Sequence, residues 1–419
     1  MIRPWSSKAT TARAAALAAL ALLAASAARA APPLADLVVL EGPAGPRSGG
    51  PCLAVAPDGT TFLSWFEQRD STHHALRVSR FERGAWAKPA LVAEGDSFIV
   101  NWADFPAVAA LGGKKVMVAW AWRSGGDPYA YDVRISGSLD GGTTWTRPMV
   151  PHRDGTKTEH GFVSLVPAQN NGVRAFWLDG RKFADPKPEA AADPEGHGGG
   201  EMTLRTAWIG FDGALLDEAE VDERVCDCCQ IGAAGRSGRV VVAYRDRSAG
   251  EVRDISVAWL DDGRWSEPAP VHADGWHTPG CPVNGPAVDM AGERLAVAWF
   301  SAAGDTAKVL LSFSDDGGHA FGPAVRVDGG DPLGRVDVAL LEDRSALVSW
   351  VEVDAKQAKI QVRSVDEAGR AGETLTVART STARASGFPR MVRSGRRVFF
   401  AWTEAGDVPQ VKVATARIP

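Results

Sequence analysis

The sequence predicts an all-β protein, a β-propeller of seven four-stranded blades. The 45 glycines and 26 prolines make up about one residue in six, a supply of turn formers that argues against long helices. A short apolar stretch ending in an aromatic residue recurs seven times, at spacings of 51 to 67 residues. A repeat of that length is typical of propellers.

The aromatic residue that ends each copy marks the second strand of a blade. These residues are Trp65, Trp120, Trp177, Tyr244, Trp299, Trp350 and Trp402. Further strand-like runs with turn signals between them give about four strands per blade. The seventh copy is one strand short, and residues 37–41 have no blade of their own. We therefore expect this N-terminal segment to supply the outer strand of blade seven and close the ring. Six blades is the alternative count.

The first thirty residues predict a secretory signal peptide. Basic residues precede an apolar run at 14–25, and the A-x-A sequence at 28–30 matches a cleavage site. We expect cleavage near Ala30, a single propeller domain over 31–419 and a secreted or periplasmic location. The apolar run is too short to span a membrane, so no span is expected after the leader is removed.

The charge balance argues against a nucleic-acid partner. Loss of the leader, with its four positive charges, changes the net charge from −5 to −9. Nucleic-acid binding depends mostly on a basic surface.

One repeat spacing, of 67 residues, is longer than the others because residues 182–200 fall within it. This segment is rich in Pro, Gly and Ala, which predicts an exposed loop.

Two turns match a known motif. Residues 138–145 (SLDGGTTW) fit the Asp-box pattern S-x-D-x-G-x-T-W at every position, and residues 314–321 (SDDGGHAF) fit it with two substitutions. On these motifs the chain resembles the sialidase superfamily of Asp-box (BNR-repeat) propellers over nearly its whole length after the leader. The box is a structural signal, since its Asp accepts backbone N–H groups across the turn. The resemblance implies that the active face lies opposite the boxes.

The resemblance also implies glycoside hydrolysis by an arginine triad, an Asp acid/base and a Tyr nucleophile. The sequence departs from that set, because Gly49 stands where the family has its first triad arginine. The loop at 66–71 (FEQRDS) looks like the E-Q-R stretch of some sialidases but is short. Whether the chain is an enzyme is thus left open, with a divergent sialidase-type glycoside hydrolase as the alternative. Its candidate catalytic residues are Asp70, Asp104, Glu159 and Tyr129.

Charged residues follow the second strands or precede the inner strands, which places them on the face opposite the Asp boxes. The candidate ligand-binding residues are Arg69, Arg123, Arg181, Asp246, Arg247, Arg335 and Asp337. Guanidinium groups on one rim suit a carboxylate or sulfate. The leading function is therefore an exported propeller that binds a small anionic, glycan-type ligand, with a protein partner left open. The alternative is that the arginines pair with neighbouring acids and only hold the loops.

All five cysteines fall near the start of an innermost strand. They are Cys52, Cys226, Cys228, Cys229 and Cys281. Disulfides are one interpretation, because an exported chain meets an oxidising compartment and an odd count leaves one thiol over. A periplasmic copper or zinc site, formed by the last four cysteines with His277, is the second. A reactive or redox thiol is the third.

Overall fold

The chain folds into seven antiparallel sheets around one axis, in a computed structural model that describes residues 32–184, 200–236 and 238–419. The predicted β-propeller with seven blades is confirmed. The predicted signal peptide at 1–30 lies outside the described residues, and so does most of the insertion predicted at 182–200.

Each blade runs outward from an inner strand that lines the axis. Blade one comprises Ser48–Val55, Thr61–Gln68, His74–Glu82, Ala85–Trp86 and Ala90–Gly95; blade two comprises Ala107–Gly112, Lys115–Arg123 and Tyr131–Ser138; blade three comprises His160–Ala168, Gly172–Asp179, Thr203–Gly210 and Leu215–Asp222; blade four comprises Gly232–Arg236, Arg239–Arg245, Ile255–Asp261, Arg264–Trp265 and Ala269–His272.

The remaining blades follow the same plan. Blade five comprises Ala287–Ala291, Arg294–Ser301, Lys308–Ser314 and Val325–Arg326; blade six comprises Pro332–Leu340, Ala346–Asp354, Gln357–Val365 and Ala371–Thr380; blade seven comprises Arg390–Ser394, Arg397–Glu404, Gln410–Arg417 and Ala35–Leu40. The described residues hold three short 3-10 helices, Arg181–Ala184, Ala303–Asp305 and Arg384–Ser386. None of their helices is long and apolar enough to cross a membrane.

Blade two departs from the predicted four strands. Its sheet has three, and a single bridge between Ile135 and Met149 stands in the place of the fourth. Pro148 and Pro151 flank that bridge. Because proline has no N–H to donate, it interrupts a ladder on both sides of Met149.

The N-terminal strand closes the ring, as predicted. Ala35–Leu40 pairs antiparallel with Gln410–Arg417 as the outer strand of blade seven, with Leu40 opposite Val413. Leu34 precedes this strand and is buried in the apolar cluster shared by blades six and seven. The first described residues are therefore joined to the last strand by both backbone pairing and side-chain burial.

The second strands carry the core between blades. Trp65, Trp177, Trp299 and Trp350 are fully buried there. The apolar clusters join neighbouring sheets: one combines blades two and three, another blades five and six, and a third blades seven and one. The large aromatic side chains supply much of the buried apolar area that holds adjacent blades together.

Residues of all seven innermost strands line an axial channel of about 1320 Å³. Carboxylates in this lining bond to the next blade. Asp104 accepts the N–H of Phe162 at 3.1 Å, Asp289 that of Leu340 at 2.7 Å, and Asp337 that of Met391 at 2.9 Å. Each bond ties one inner strand to its neighbour, across a boundary that has no backbone ladder.

Three inner strands begin with the same irregularity. The register shifts between Gly49 and Cys52 in blade one, and between the corresponding residues 161 and 164 in blade three and 334 and 337 in blade six. Within each shift one residue is left-handed: Gly50 (φ 62°), Phe162 (φ 54°) and Arg335 (φ 55°). Such bulges re-aim side chains at the end of a strand.

We predict that Leu34→Ala lowers the free energy of unfolding by about 2 to 5 kcal/mol, because it leaves a cavity under the closing strand. Val39→Ala in the same segment is the matched control, since Val39 is 56% exposed, and we expect a cost below about 1 kcal/mol. Urea unfolding monitored by tryptophan fluorescence measures both. Equal costs would contradict the closing role of the N-terminal segment.

Candidate functional site

The loops that precede the inner strands and follow the second strands share one face, which we call the top face. The Asp-box turns lie at the other end of the blades, after the third strands. There Asp140 accepts the backbone N–H of Thr144 at 2.9 Å, a contact that fixes the turn and involves no chemistry. On the top face the structure gathers four groups of side chains.

The first group, the acidic cluster, consists of Asp104, Tyr131 and Glu159. The Tyr131 hydroxyl donates a short hydrogen bond to Glu159. Asp104 and Tyr131 both reach Gly161: a Cβ on this glycine would lie 2.7 Å from Asp104 Oδ2 and 2.9 Å from the Tyr131 ring. All three side chains are at least 94% buried. The absence of a Cβ at position 161 is thus what allows them to meet.

Burial changes the protonation of these acids. It raises the pKa of Glu159 to about 8, assisted by the charges of Asp227 and Asp104 and opposed by the Tyr131 hydrogen bond. It also raises the pKa of Asp104 to about 6. At neutral pH Glu159 therefore holds a proton, the state that a general acid requires.

The second group, the histidine cluster, consists of His152, Asp154, His160, Asp179 and Arg181. The two imidazole rings stack with centroids 3.8 Å apart. Asp154 lies 2.9 Å from His160 Nε2, and Asp179 accepts two hydrogen bonds of 2.7 Å from Arg181. Burial, followed by the charge of His160, lowers the pKa of His152 to about 4.

This cluster also has ligand atoms close enough for a metal. Oxygen and nitrogen atoms of Asp154, His160 and Asp179 lie within 4.8 Å of one another, and Asp132, His152 and His160 form a second such set. The guanidinium of Arg181 already lies 3.3 Å from Asp154 and 2.7 Å from Asp179. A positive charge thus occupies the place that a cation would take.

The arginines predicted on the rim are mostly paired with acids. Arg247 contacts Glu251 at 3.0 Å, and Arg181 contacts Asp179. Arg69 lies 3.7 Å from Glu67, and Arg123 is exposed at the end of its strand. The side chain of Asp246 accepts the backbone N–H of Arg247.

Arg335 is different, and it forms the third group with Trp102 and Arg384. The guanidinium carbons of Arg335 and Arg384 lie 5.1 Å and 5.7 Å from the centroid of the Trp102 ring. Arg335 is buried and donates to Ser386 Oγ at 2.7 Å and to the Gly387 carbonyl at 3.0 Å. Burial, together with the charge of Arg384, lowers the pKa of Arg335 to about 10.

Asp337, the other ligand-binding candidate of blade six, has a structural position. It is buried in the channel wall, where it accepts the N–H groups of Val338 and Met391 and lies 3.2 Å from Arg390. Cys52 lies near the same ion pair, and burial raises the pKa of its thiol.

The fourth group, the cysteine cluster, consists of Cys226, Cys228, Cys229 and Cys281. Cys228 and Cys281 form a disulfide that joins the loops of blades four and five. The disulfide interpretation expected two disulfides and one remaining thiol, whereas Cys52, Cys226 and Cys229 all keep thiols. The thiols of Cys226 and Cys229 lie 3.1 Å apart, and Cys226 Sγ lies 3.8 Å from Cys228 Sγ. Cys52 lies in the inner strand of blade one and retains a thiol.

Cationic side chains border the cysteine cluster. Arg253 lies 3.5 Å from Cys226 Sγ and 3.6 Å from Asp227. Burial acts to raise the pKa of Cys229, but the hydrogen bond from the Cys226 thiol and the charge of Arg245 bring it below its ordinary value. Among the described residues, the sulfur atoms of Cys226, Cys228 and Cys229 lie within 4.8 Å of one another, and no His277 nitrogen joins them.

The predicted catalytic set is only partly brought together. Glu159 bonds to Tyr131, and Asp104 lies beside the same glycine as Tyr131, whereas Tyr129 is 44% exposed. Asp70 is exposed and accepts the backbone N–H groups of Thr72 and His73 within its own loop.

Sequence reasoning missed Tyr131, Trp102, Arg253 and Arg384 as site residues. Arg384 and Trp102 lie in the segments that lead into the inner strands of blades seven and two. Several of the other candidates were selected because they precede an inner strand. The same criterion, applied to every blade, would have selected Arg384 and Trp102. Arg253 precedes a third strand, and no pattern in the sequence indicates that it turns toward Cys226.

Comparisons with known proteins support the fold. No family model matches the chain, and no curated protein matches it. An ulvan lyase bound to -[GlcA(1-4)Rha3S]- matches with a TM-score of 0.55 and 10% identity, over 89% of this chain and 95% of its own. The polysaccharide lyase Uly1 matches with a TM-score of 0.52 and 11% identity, over 88% and 90%.

A sialidase also matches, at a lower score. A variant of NanB sialidase from Streptococcus pneumoniae gives a TM-score of 0.47 and 11% identity, over 86% of this chain and 83% of its own. At such identities the comparisons concern the fold alone. The class that fold and site define is thus a β-propeller with a polar top face.

We predict that Glu159 makes stability depend on pH. Its pKa is raised on folding, so its stabilising contribution is complete below the unfolded value of 4.5 and is lost as the pH rises through about 8. Between pH 5 and 8, wild type should therefore lose stability relative to Glu159→Gln, by up to about 1.4 kcal/mol per pH unit. Chemical unfolding at several pH values measures the difference.

Asp104→Asn serves as the comparison, since the pKa of Asp104 is raised only to about 6. The difference in free energy of unfolding between Asp104→Asn and wild type should change with pH below about pH 6 and stay nearly constant above pH 7. Parallel stability curves for wild type and Glu159→Gln would contradict a buried, protonated Glu159.

Proposed function

We propose that this protein is an exported propeller that binds an anionic saccharide on its top face, with Arg384, Arg335 and Trp102 as binding residues. One observation carries the proposal: two guanidinium groups approach the same tryptophan ring, and neither has a carboxylate partner among the described residues. An anion between the loops of blades two, six and seven would supply the missing charge.

Other arginines of the top face differ from Arg335 in that they pair with carboxylates. Arg181, Arg247 and Arg253 each contact at least one carboxylate within 3 Å. Arg335 instead donates to carbonyl and hydroxyl oxygens, and its pKa falls through burial and the repulsion of Arg384. A bound carboxylate or sulfate would offset that repulsion, since guanidinium matches both geometrically.

The neighbouring side chains favour a saccharide as the carrier of the charge. Trp102 is only partly buried and stacks on Phe388 with ring centroids 5.7 Å apart. Arg384 is exposed beside it. An aromatic ring next to a few charged groups is the usual composition of a small-ligand site. Export of the protein is supported by the A-x-A leader and by the Cys228–Cys281 disulfide.

We predict that a glucuronate-containing tetrasaccharide binds the purified protein and that Arg384→Gln weakens this binding at least about tenfold, since a charged hydrogen bond contributes about 1.5 to 3 kcal/mol. Isothermal titration calorimetry at low ionic strength measures both affinities. A neutral glucose tetrasaccharide of the same length should bind more weakly than the acidic one.

Arg370→Gln is the matched control. Arg370 is an exposed arginine in the turn between the third and fourth strands of blade six, on the face opposite the site. Removing it changes the net charge by the same amount and should change the affinity by less than about twofold. Equal losses in the two variants would mean that only general charge matters, and equal binding of the neutral saccharide would refute the anionic ligand.

A further inference from the structure

We propose that Cys226, Cys228, Cys229 and Cys281 form a disulfide relay, in which one disulfide moves between the Cys228–Cys281 pair and the Cys226–Cys229 pair. This thiol–disulfide site goes beyond saccharide binding and uses none of the residues assigned to it. The four cysteines lie in the loops that precede the inner strands of blades four and five.

The positions of the sulfur atoms carry the proposal. Cys226 Sγ lies between two partners, 3.1 Å from the Cys229 thiol and 3.8 Å from the Cys228 sulfur of the existing disulfide. A thiolate exchanges a disulfide by direct attack on one of its sulfur atoms. The Cys226 sulfur is therefore close to the existing disulfide, with Cys228 as the nearby sulfur that it would attack.

The first step needs no outside reactant. Cys226 releases its proton to water, and its thiolate attacks Cys228 Sγ. The Cys226–Cys228 bond forms while the Cys228–Cys281 bond breaks, and Cys281 leaves as a thiolate that takes up a proton. Arg253, 3.5 Å from Cys226 Sγ, stabilises the attacking thiolate.

The second step moves the bond to its final place. Cys229 loses a proton and attacks Cys226 Sγ, so that the Cys226–Cys229 bond forms and Cys228 leaves as a thiolate and is protonated. The sum of the two steps is an isomerisation: two thiols and one disulfide are present before and after. No oxidant or reductant is consumed.

The two pairs differ in their access to solvent. Cys226 and Cys229 are 1% and 2% exposed, whereas Cys228 and Cys281 are partly exposed. The relay would thus store the disulfide in the interior and present two thiols on the top face. Thiols at that position can react with an external disulfide or other thiol reagent, which the buried pair cannot reach.

The surroundings favour this chemistry over a metal site. Arg253 and Arg245 place two positive charges beside the sulfur atoms, which stabilises thiolates but opposes a further cation. One of the three clustered sulfurs, that of Cys228, is bonded to Cys281. The remaining pair has no histidine among the described residues within ligand distance.

Tryptic peptides distinguish the two isomers. Residues 225–236 contain Cys226, Cys228 and Cys229, and residues 265–294 contain Cys281. The Cys228–Cys281 isomer links these peptides, whereas the Cys226–Cys229 isomer leaves them separate. The full-length protein is held at pH 8 in glutathione buffers of graded potential, quenched with acid, alkylated, digested and analysed by mass spectrometry.

We expect both isomers in samples that hold one disulfide, with alkylated Cys281 in the unlinked form. Cys226→Ser should abolish the unlinked form, because the attacking sulfur is gone, and Cys229→Ser should trap a Cys226–Cys228 bond with an alkylated Cys281. Cys52→Ser, which removes a buried cysteine outside the cluster, is the control and should leave the isomer ratio unchanged.

Three results would overturn the relay. The first is a linked peptide pair in every one-disulfide sample, with Cys226 and Cys229 always recovered as thiols. The second is a protein in which the Cys228–Cys281 and Cys226–Cys229 disulfides are both present at every potential and never exchange. The third is stoichiometric copper or zinc that protects Cys226 and Cys229 from alkylation.

Discussion

Closure of the ring by Ala35–Leu40 is the constraint on which the rest of the propeller depends. Each sheet forms its ladder only within its own blade, and although isolated bridges such as Pro46–Gln410 and Tyr131–Glu159 connect neighbouring blades, no ladder among the described residues joins one blade to the next. Apolar packing between sheets and single side-chain bonds, such as that from Asp337 to Met391, do this instead. Because these contacts are short-range, they hold only while all seven blades stay in the circle, which the N-terminal strand secures at blade seven.

The closed ring fixes the beginnings of the inner strands on one face, and there the structure deviates from regular geometry. The bulge at Arg335 turns this side chain toward Trp102, and the missing Cβ of Gly161 lets Asp104 and Tyr131 meet. Buried acids, stacked histidines and clustered sulfurs fill the same loops. A rigid scaffold with polar, irregular loops at one end is the arrangement in which propellers and other repeat folds place binding sites.

The fold could be predicted from the sequence because the repeat marks the buried strand of each blade. Seven apolar stretches, each ending in an aromatic residue, give the second strands, and residues without a blade of their own give the closing strand. Blade two has three strands because prolines interrupt the fourth, a local effect that counting the repeats does not reveal. The site was less predictable, since pairing of rim arginines depends on side-chain directions: Arg181 turns to Asp179, while Arg335 meets only carbonyls and a hydroxyl. The sequence placed all five cysteines near the starts of inner strands, but it did not show that Cys281 bonds to Cys228.

A crystal structure of the protein with a glucuronate-containing tetrasaccharide tests the central claim most directly, since that claim assigns a position to the ligand. We expect a carboxylate oxygen about 3 Å from the guanidinium of Arg384, with a sugar ring beside Trp102. Density for the saccharide elsewhere on the protein, or a crystal soaked at saturating concentration with no density at Arg384, would contradict it.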